Sequence, residues 1–448
     1  MSRQSCDRAP LEQAVSCAIE SARDLGASGA EATARLVQGL EISVRCNEVD
    51  KLERRRNKHL AVTVYFGHRK GTAGTADLNP QGVRRAVEKA RSLARFTAED
   101  PYAGLLEAQA LAWQIPNLDL DHPWTIEAPE AIELAHRIER AGFAWNAHVR
   151  NSDGASVSTV RQSIAFGNSL GFLGSYSGTS HSMGCTLIAE QHGQMHRGQW
   201  FTVARDALDL EAPESVGLTA ARRATARLGA RKLSTRHAPV LFSAELARGL
   251  FGHFIAAIQG ANQYRNASFL LDAAGQQVFP EFVCMSERPH LQKGLASAPF
   301  DAEGAATHDR ELVENGVVGG YILDGYSARR LGLPTSGNAG GMHNLLIGAN
   351  GKDQPQTEQA LLRLMGTGLW LSDLMGQGIN VVTGDYSRGA NGFWIEGGAI
   401  IHPVHEVTIA GNLRDMFRNL AALGDDVDPR GAIRCGSVLV GEMTVAGQ

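Results

Sequence analysis

"VSTVRQSIAFGNSLGFLGSYSGTSHSMGCTLIAE", residues 157–190, is the stretch that decides the fold of this 448-residue chain. Glycines divide it into segments rich in strand-forming residues, a pattern typical of β-strands joined by turns. The sequence "NSDG", residues 151–154, precedes it and predicts a turn. Amphipathic helices are predicted on either side, over residues 128–145 and 218–233. This middle part of the chain therefore has the order helix, strands, helix.

The first hundred residues have the same order. A helix is predicted over residues 10–25 and a strand over 30–48. The polar stretch "KLERRRNK", residues 51–58, is predicted to turn the chain as a solvated hairpin end. Asn79-Pro80 predicts the start of the next helix, because proline is favoured at the first helical position. The recurrence suggests an internal duplication of one α+β unit with an antiparallel sheet, although no residue-level repeat is visible.

The sequence changes in character from about residue 234. A short buried strand, "APVLFS", leads into a helix predicted over residues 244–260, and a long glycine-rich β region follows. Within that region only residues 356–376 are plainly helical by pattern. We therefore predict an α+β fold in three parts: an N-terminal α+β segment (1–115), a second α+β segment (116–229) and a β-rich C-terminal domain (230–448).

Composition limits the classes of function. The net charge of -4 provides no basic field for nucleic acid, and "KLERRRNK" has no interleaved aromatic residues. The six cysteines form no CxxC pair, which argues against a disulfide framework or zinc ribbon and fits a reducing compartment. The N-terminal residues lack the apolar core of a signal peptide, and no run reaches the roughly 18 apolar residues of a membrane span. We expect a cytoplasmic protein with no direct contact to nucleic acid or membrane.

The helix "GLFGHFIAAIQG", residues 249–260, carries His253 among apolar residues. A histidine in such a setting is usually a packed residue. A helical zinc site needs a second imidazole on the same face and a carboxylate beside the bound water. The preceding turn offers only Arg248 and Gly249, and a guanidinium repels a cation. This helix alone therefore lacks the second imidazole and the carboxylate of a zinc site.

Other candidate ligands are weaker. His192 and His196 are four residues apart, but they lie between hairpin-like segments, where that spacing does not bring imidazoles together. His402 and His405 flank a proline, which disfavours a helix and places the two side chains on opposite faces of a strand. Cys435 is by default a small buried strand residue, and it ligates a metal only if the fold brings a histidine to it.

Two glycine-rich stretches, residues 336–344 and 384–398, match neither a P-loop nor a Rossmann fingerprint. Their glycines permit tight turns, and they equally permit close backbone approach to an extended ligand such as a peptide added to a sheet edge. The residues alone do not separate these alternatives. No G-x-S-x-G elbow appears in the sequence.

Long motifs in the second half of the chain carry a family resemblance. They are, in order, "FGHFIAAIQGANQYRNASFLLDAAGQQVFPEF", "HLQKGLASAPFDAEG", "YSARRLGLPTSGNAGGMHN", "MGQGINVVTGDYSRGANGFWIEGG", "IAGNLRDMFRNL" and "RCGSVLVGEMTVAGQ". With these motifs the chain strongly resembles the PmbA/TldE type of the TldD/PmbA metalloprotease family. The resemblance covers essentially the whole sequence and is densest from about residue 249 to 448.

The resemblance implies an N-terminal α+β part, a β-rich C-terminal part and a subunit role. TldD-type and PmbA-type chains pair into a cytoplasmic metalloprotease that cuts unfolded peptides inside an enclosed chamber. That complex is linked to the maturation of a peptide antibiotic and to antitoxin degradation, and the family is also labelled a modulator of DNA gyrase. The resemblance thus implies a TldD-type partner and an unfolded or extended peptide substrate, with a homodimer expected when the chain is alone.

The resemblance also implies which positions belonged to a metal site. TldD-type chains carry an HExxxH helix and a C-terminal cysteine as third zinc ligand. On this sequence the second histidine falls on His253, the first on Arg248, the glutamate on Gly249 and the cysteine on Cys435. One ligand and the general base are therefore replaced, so we expect zinc in the partner and neither a metal nor a catalytic residue in this chain.

Two alternatives remain open at this point. In the first alternative, the chain is a stand-alone divergent metallopeptidase that uses His253 and Cys435. Its third ligand would then come from one of four histidines: His290, His343, His402 or His405. In the second, the chain is a non-proteolytic binding protein that regulates a DNA enzyme such as gyrase.

Overall fold

The computed structural model describes residues 3–350 and 355–447. The N-terminal half of the chain is built on one continuous antiparallel sheet. Six strands lie in the order β3-β2-β1-β4-β5-β6. Their bounds are Gly29–Arg45 (β1), Glu48–Phe66 (β2), Arg69–Thr75 (β3), Val149–Asn168 (β4), Leu173–Gln191 (β5) and Gln194–Ala204 (β6). β1 and β4 pair side by side, so the two predicted α+β segments share one sheet.

Four helices cover one face of this sheet: Arg3–Asp24 (α1), Pro80–Ala94 (α2), Ala128–Phe143 (α3) and Pro213–Ala226 (α4). Each half of the sheet has the order helix, three strands, helix. This confirms the α+β class with a repeated unit. As predicted, Asn79 caps α2, accepting a hydrogen bond from the backbone of Gly82 ahead of Pro80.

The repeat has a residue-level signature that the sequence pattern did not reveal. In each half a glycine of the outermost strand lies against the helix that follows that strand. A Cβ on Gly71 of β3 would stand 2.0 Å from the carbonyl oxygen of Ala90 in α2. A Cβ on Gly198 of β6 would stand 2.3 Å from the carbonyl oxygen of Ala220 in α4. Helix and edge strand therefore touch through their backbones in both halves.

Two predicted turns are wrong. Residues 51–58 continue β2, and the chain turns earlier, at Cys46 and Asn47, which have positive φ angles of 50° and 65°. The polarity of 51–58 reflects exposure, since this end of the hairpin is largely open to solvent. Residues 151–154 lie inside β4, where the register with β5 shifts at two bulges and Gly154 has φ +117°. Turn-forming residues mark bulges there.

The C-terminal part confirms the β-rich prediction and contains a closed ring of five strands. These are Arg236–Phe242 (β7), Gly368–Ile379 (β12), Asp385–Glu396 (β13), Ala399–Asn412 (β14) and Val438–Ala446 (β17). The ring closes because β14 pairs with both β13 and β17. Leu420–Leu423 (β15) extends it. A smaller sheet comprises Val283–Glu287 (β8), Arg310–Glu314 (β9), Val317–Val318 (β10), Leu345–Ala349 (β11) and Ile433–Arg434 (β16).

Five helices belong to this part: Ala244–Ala257 (α5), Gly260–Tyr264 (α6), Gly325–Leu331 (α7), Glu358–Met365 (α8) and Leu413–Arg418 (α9). The long helix predicted over 356–376 is wrong: α8 ends at Met365, its capping residue Gly366 has φ +64°, and β12 begins at Gly368. The apolar run there is strand because it is buried in the ring. Similarly, α4 ends at Ala226 and not at 233.

The core of this part lies against α5. Phe251 and Phe254 of α5 are fully buried and meet Phe279 and Phe417 with ring centroids 5.0 to 6.4 Å apart. Burial of such aromatic rings stabilises the domain and fixes the rotation of α5 about its axis. None of the described helices is long and apolar enough to span a membrane.

We predict that Gly71→Ala and Gly198→Ala each lower the free energy of unfolding by about 1–3 kcal/mol, because an added methyl group forces the helix away from the strand. Urea unfolding of each variant measures the change. Gly348→Ala on β11 is the matched control, since a Cβ there meets nothing within 4 Å. If the two variants match the control, the backbone contact does not determine the helix positions.

Candidate functional site

Helix α5 presents its N-terminal half to a network of charged side chains. The Arg248 guanidinium donates to the carbonyl oxygen of Arg430 and lies 3.6 Å from Asp428. Arg430 in turn donates to Asp428 at 2.8 Å and to Glu245 at 3.2 Å. We call these four residues, Glu245, Arg248, Asp428 and Arg430, the arginine clamp. Its charges alternate in sign, so it ties α5 to the loop before β16.

The clamp keeps its carboxylate charged although it is enclosed. Only 5% of the Asp428 side chain and 8% of the Arg430 side chain are exposed. Burial alone would raise the pKa of Asp428, but hydrogen bonds from Arg430 and the positive charge of Arg430 and Arg248 lower it overall. A buried ion pair of this kind contributes only when its hydrogen bonds are complete, and here they are.

The same region joins the first sheet to the C-terminal part. β6 is the last strand of its sheet, and alternate carbonyl groups along it accept hydrogen bonds from arginine side chains. The three bonds run from Arg227 to Arg197 (3.1 Å), from Arg223 to Gln199 (3.4 Å) and from Arg430 to Phe201 (2.8 Å). We call Arg223, Arg227 and Arg430 the edge arginines. Their guanidinium groups occupy the edge that another strand would need.

A cavity of about 710 Å³ opens beside β6, α4, the start of α5 and β12. Its walls combine apolar and charged side chains. The apolar ones are Phe201, Leu246, Trp370, Leu371 and Phe393. The charged ones include Arg222, which stacks on Trp145 at 4.8 Å and makes no ion pair within the described part of the chain. The cavity is therefore suited to a ligand with both apolar and polar groups.

Cys435 lies at the Arg248 end of α5. It is fully buried, and its Sγ lies 3.7 Å from the carbonyl oxygen of Ala244. Burial raises the pKa of this thiol to about 12. The side chain is therefore a buried core residue beside the clamp.

His253 lies at the other end of the helix. It is nine residues beyond Ala244, or about 13 Å along the axis at 1.5 Å per residue. Its ring meets Tyr386 of β13 with centroids 6.1 Å apart. Burial, and then the charge of Arg388, lower its pKa. The described contacts thus join Cys435 to Ala244 and Arg248, and His253 to Tyr386 and Arg388.

The remaining histidines have separate partners. His290 bonds Thr307, His343 bonds Glu287, and His402 lies 3.1 Å from the carbonyl oxygen of Pro403. His196 faces His405 at 6.2 Å, while His192 lies in the β5–β6 turn with φ +51°. Within residues 3–350 and 355–447 no three His, Cys, Asp or Glu side chains are grouped to hold a metal.

Models of three successive family domains match this sequence. They are the PmbA/TldA metallopeptidase domain 1 over residues 31–94, the central domain over 121–228 and the C-terminal domain over 235–447. The chain belongs to the PmbA/TldD metallopeptidase family. Residues 244–257, which form α5, lie in the C-terminal domain of that family.

Curated relatives agree over the full length. Metalloprotease PmbA of Escherichia coli O157:H7 is 46% identical over 448 residues, covering 100% of this chain and 98% of that protein. A PmbA homolog of Haemophilus influenzae is 43% identical, covering 98% and 96%. A TldD homolog of Buchnera aphidicola from Acyrthosiphon pisum is 20% identical, covering 80% and 71%. The chain is thus similar to PmbA proteins at higher identity than to this TldD homolog.

Solved structures share the fold. A protein described as a putative modulator of DNA gyrase from Bacteroides thetaiotaomicron has a TM-score of 0.91 at 22% identity, covering 97% of this chain and 98% of that one. TldE from Thermococcus kodakarensis has a TM-score of 0.84 at 20% identity, covering 97% and 100%. At these identities the likeness establishes the architecture of the PmbA/TldD family only.

The glycine-rich stretches of this family member have different roles. In residues 336–344, Asn338 and His343 bond the buried carboxylate of Glu287 at 2.7 and 3.2 Å, and Arg310 bonds it at 2.7 Å. Burial would raise the pKa of Glu287, but these bonds and the charge of Arg310 lower it to about 2. Residues of this stretch therefore belong to a buried hydrogen-bond network around Glu287. Residues 384–398 form β13 and its turns.

Sequence reasoning missed the residues that complete the site. Asp428 and Arg430 are ordinary loop residues by pattern, and only the fold brings them to α5. Tyr386 and Arg388 lie within "GDYSRGANGFWIEGG", a stretch whose interpretation rested on its glycines alone. An arginine inside a glycine-rich strand was the available signal.

We predict that Arg430→Met lowers the free energy of unfolding by about 3 kcal/mol, because Asp428 keeps only the longer contact to Arg248 and Glu245 only its bond to Arg223. Chemical denaturation measures the loss. Arg84→Met is the control, since Arg84 is exposed on α2 and makes no hydrogen bond or ion pair within the described residues. A loss no larger than that of the control would show that the clamp contributes little.

We predict that Glu287 makes the protein sensitive to acid. Its pKa is lowered in the folded state, so its contribution is complete above about pH 4.5, its ordinary value, and is lost as the pH falls to about 2. The full contribution is on the order of 3 kcal/mol. Thermal unfolding measured across this pH range should show a steeper decline for the natural chain than for Glu287→Gln. Parallel curves would contradict the assignment.

Proposed function

We propose that this chain is the non-catalytic PmbA/TldE-type subunit of a cytoplasmic TldD–TldE metalloprotease. It binds a TldD-type chain that holds the zinc, and it helps to enclose and bind extended, unfolded peptides, such as peptide antibiotic precursors or antitoxins. The observation that carries the proposal is the state of α5, where Arg248 and Gly249 replace the metal ligand and general base of the family motif.

The chemistry of α5 supports this role. A catalytic zinc site needs three protein ligands and an open position for water. Arg248 donates into the clamp, Cys435 is buried against the start of α5, and the His253 ring meets Tyr386 instead. Gly249 has no side chain to accept a proton, and a general base typically contributes about 10²- to 10⁴-fold to the rate. The dispersed histidines disfavour a stand-alone metallopeptidase.

The position of the cavity supports a role in peptide binding. It lies between the first sheet and α5, so a ligand in it contacts both parts of the chain. Because the edge arginines occupy the β6 edge, an extended peptide is held by side chains and not by strand addition at β6. Relatives named TldD homologs, and the fold shared with a protein named TldE, support a partner of the TldD type.

The test is co-purification with the TldD-type chain of the same organism, followed by zinc analysis and a peptide-cleavage assay. We expect zinc and cleavage from the complex, and neither from this chain alone. Cys435→Ala in this chain should leave zinc content and cleavage by the complex within about twofold, and His253→Gln should leave the zinc content unchanged, because neither side chain holds the metal. Stoichiometric zinc and robust cleavage by the isolated chain, abolished by His253→Gln, would overturn the proposal.

A further inference from the structure

Arg388 is a cation without a carboxylate. It lies on β13, it is half-buried, and its Nε atom is enclosed without a hydrogen-bond partner. Within residues 3–350 and 355–447 it forms no ion pair. This differs from the edge arginines, whose guanidinium groups are all engaged. Enclosing an unpaired charge is unfavourable, so a ligand that supplies the counter-charge is stabilised there.

Two further donors face the same space. Tyr386 precedes Arg388 by two residues, so both side chains lie on one face of β13. The Tyr386 ring meets His253 of α5, and neither ring nitrogen of His253 bonds another group in the described part of the chain. Burial raises the pKa of Tyr386 to about 12 although Arg388 opposes this, so the phenol keeps its proton near neutral pH.

No carboxylate of the described residues is among the groups that shift the pKa of His253 or Tyr386. Arg388 pairs with Ile409 of β14, and on the β12 side the register shifts at a bulge that contains Gly376 and Gln377. Gly249 precedes His253 by one helical turn, and a Cβ added there would meet nothing within 4 Å. The donors therefore adjoin open space along α5, through which a ligand can extend.

We propose that His253, Tyr386 and Arg388 form a binding site for a carboxylate group of an extended peptide. A guanidinium binds a carboxylate with two parallel hydrogen bonds, and the phenol and imidazole supply further donors. The group is either the C-terminal carboxylate or an Asp or Glu side chain, which share this chemistry. The identity of the ligand as a peptide rests on the proposed function; the anion site itself rests on the three side chains.

The site also predicts a dependence on pH. The groups that face His253 are Tyr386 and Arg388 from β13, and the nearest turn of α5 adds only Gly249. A bound carboxylate offsets the charge of Arg388 and favours the imidazolium form. Binding therefore takes up a proton, and affinity rises as the pH falls from about 8 to about 6.

The experiment uses the full chain with isotope-labelled histidine, and NMR follows the pH titration of each imidazole. His253→Gln identifies the His253 signal by its loss. Three versions of one acetylated peptide are added: a free acid, its C-terminal amide, and the amide with one internal Gln→Glu change. We expect the free acid, the Glu-containing amide or both to raise the pKa of His253, and the plain amide to leave it unchanged.

Arg388→Gln should weaken the binding of the responding peptide by about tenfold or more. Arg84→Gln, with the same loss of charge on α2, should leave binding unchanged. Equal responses to acid and plain amide, no response to any version, or full binding by Arg388→Gln overturns the site. The comparison of peptides uses the unaltered chain, so it holds even if Arg388→Gln fails to fold. Failure to recover a TldD-type partner would refute the proposed function without affecting this result.

Discussion

Guanidinium groups at the outer carbonyls of β6 link the two parts of the chain. Arg223 and Arg227 at the end of α4 also bond Glu245 and Ser372 of the C-terminal part, and Arg430 reaches β6 from the loop before β16. The end of α4 and that loop therefore meet on one strand. A free sheet edge invites pairing with another strand, and these bonds use it internally instead. The start of α5, the clamp and the cavity take their positions from this junction.

The clamp shows how an arginine can order the acceptors around a helix. A bound dication would draw several acceptors around α5, and a guanidinium at residue 248 also draws them: a carbonyl oxygen and, at longer range, a carboxylate. The difference lies in geometry. Arginine supplies a fork of donors and no open coordination position, so it keeps the loop of residues 428–431 in place but cannot activate water. Buried Cys435 then behaves as an apolar side chain.

Local patterns predicted the elements whose determinants are local. Asn79-Pro80 starts α2 because capping and proline geometry involve only neighbouring residues. Residues 51–58 were misread because polarity on an exposed hairpin resembles polarity in a turn, and 356–376 because an apolar run is equally consistent with helix and buried strand. The family motifs located Arg248, Gly249, His253 and Cys435. Their contacts, and the roles of Asp428 and Arg388, depend on pairings between distant strands that no local pattern contains.

The closure of the five-stranded ring has a consequence for biosynthesis. β7 and β17 pair with each other although about two hundred residues separate them, and β17 also completes the ring against β14. All strands of the first sheet and the helices that cover it precede residue 227, so this part can form while the ribosome is still translating the rest. The ring cannot close until residue 446 has emerged, and until then β7 and β14 expose unpaired edges. During that interval the nascent chain is open to chaperones, to aggregation or to early docking by another subunit.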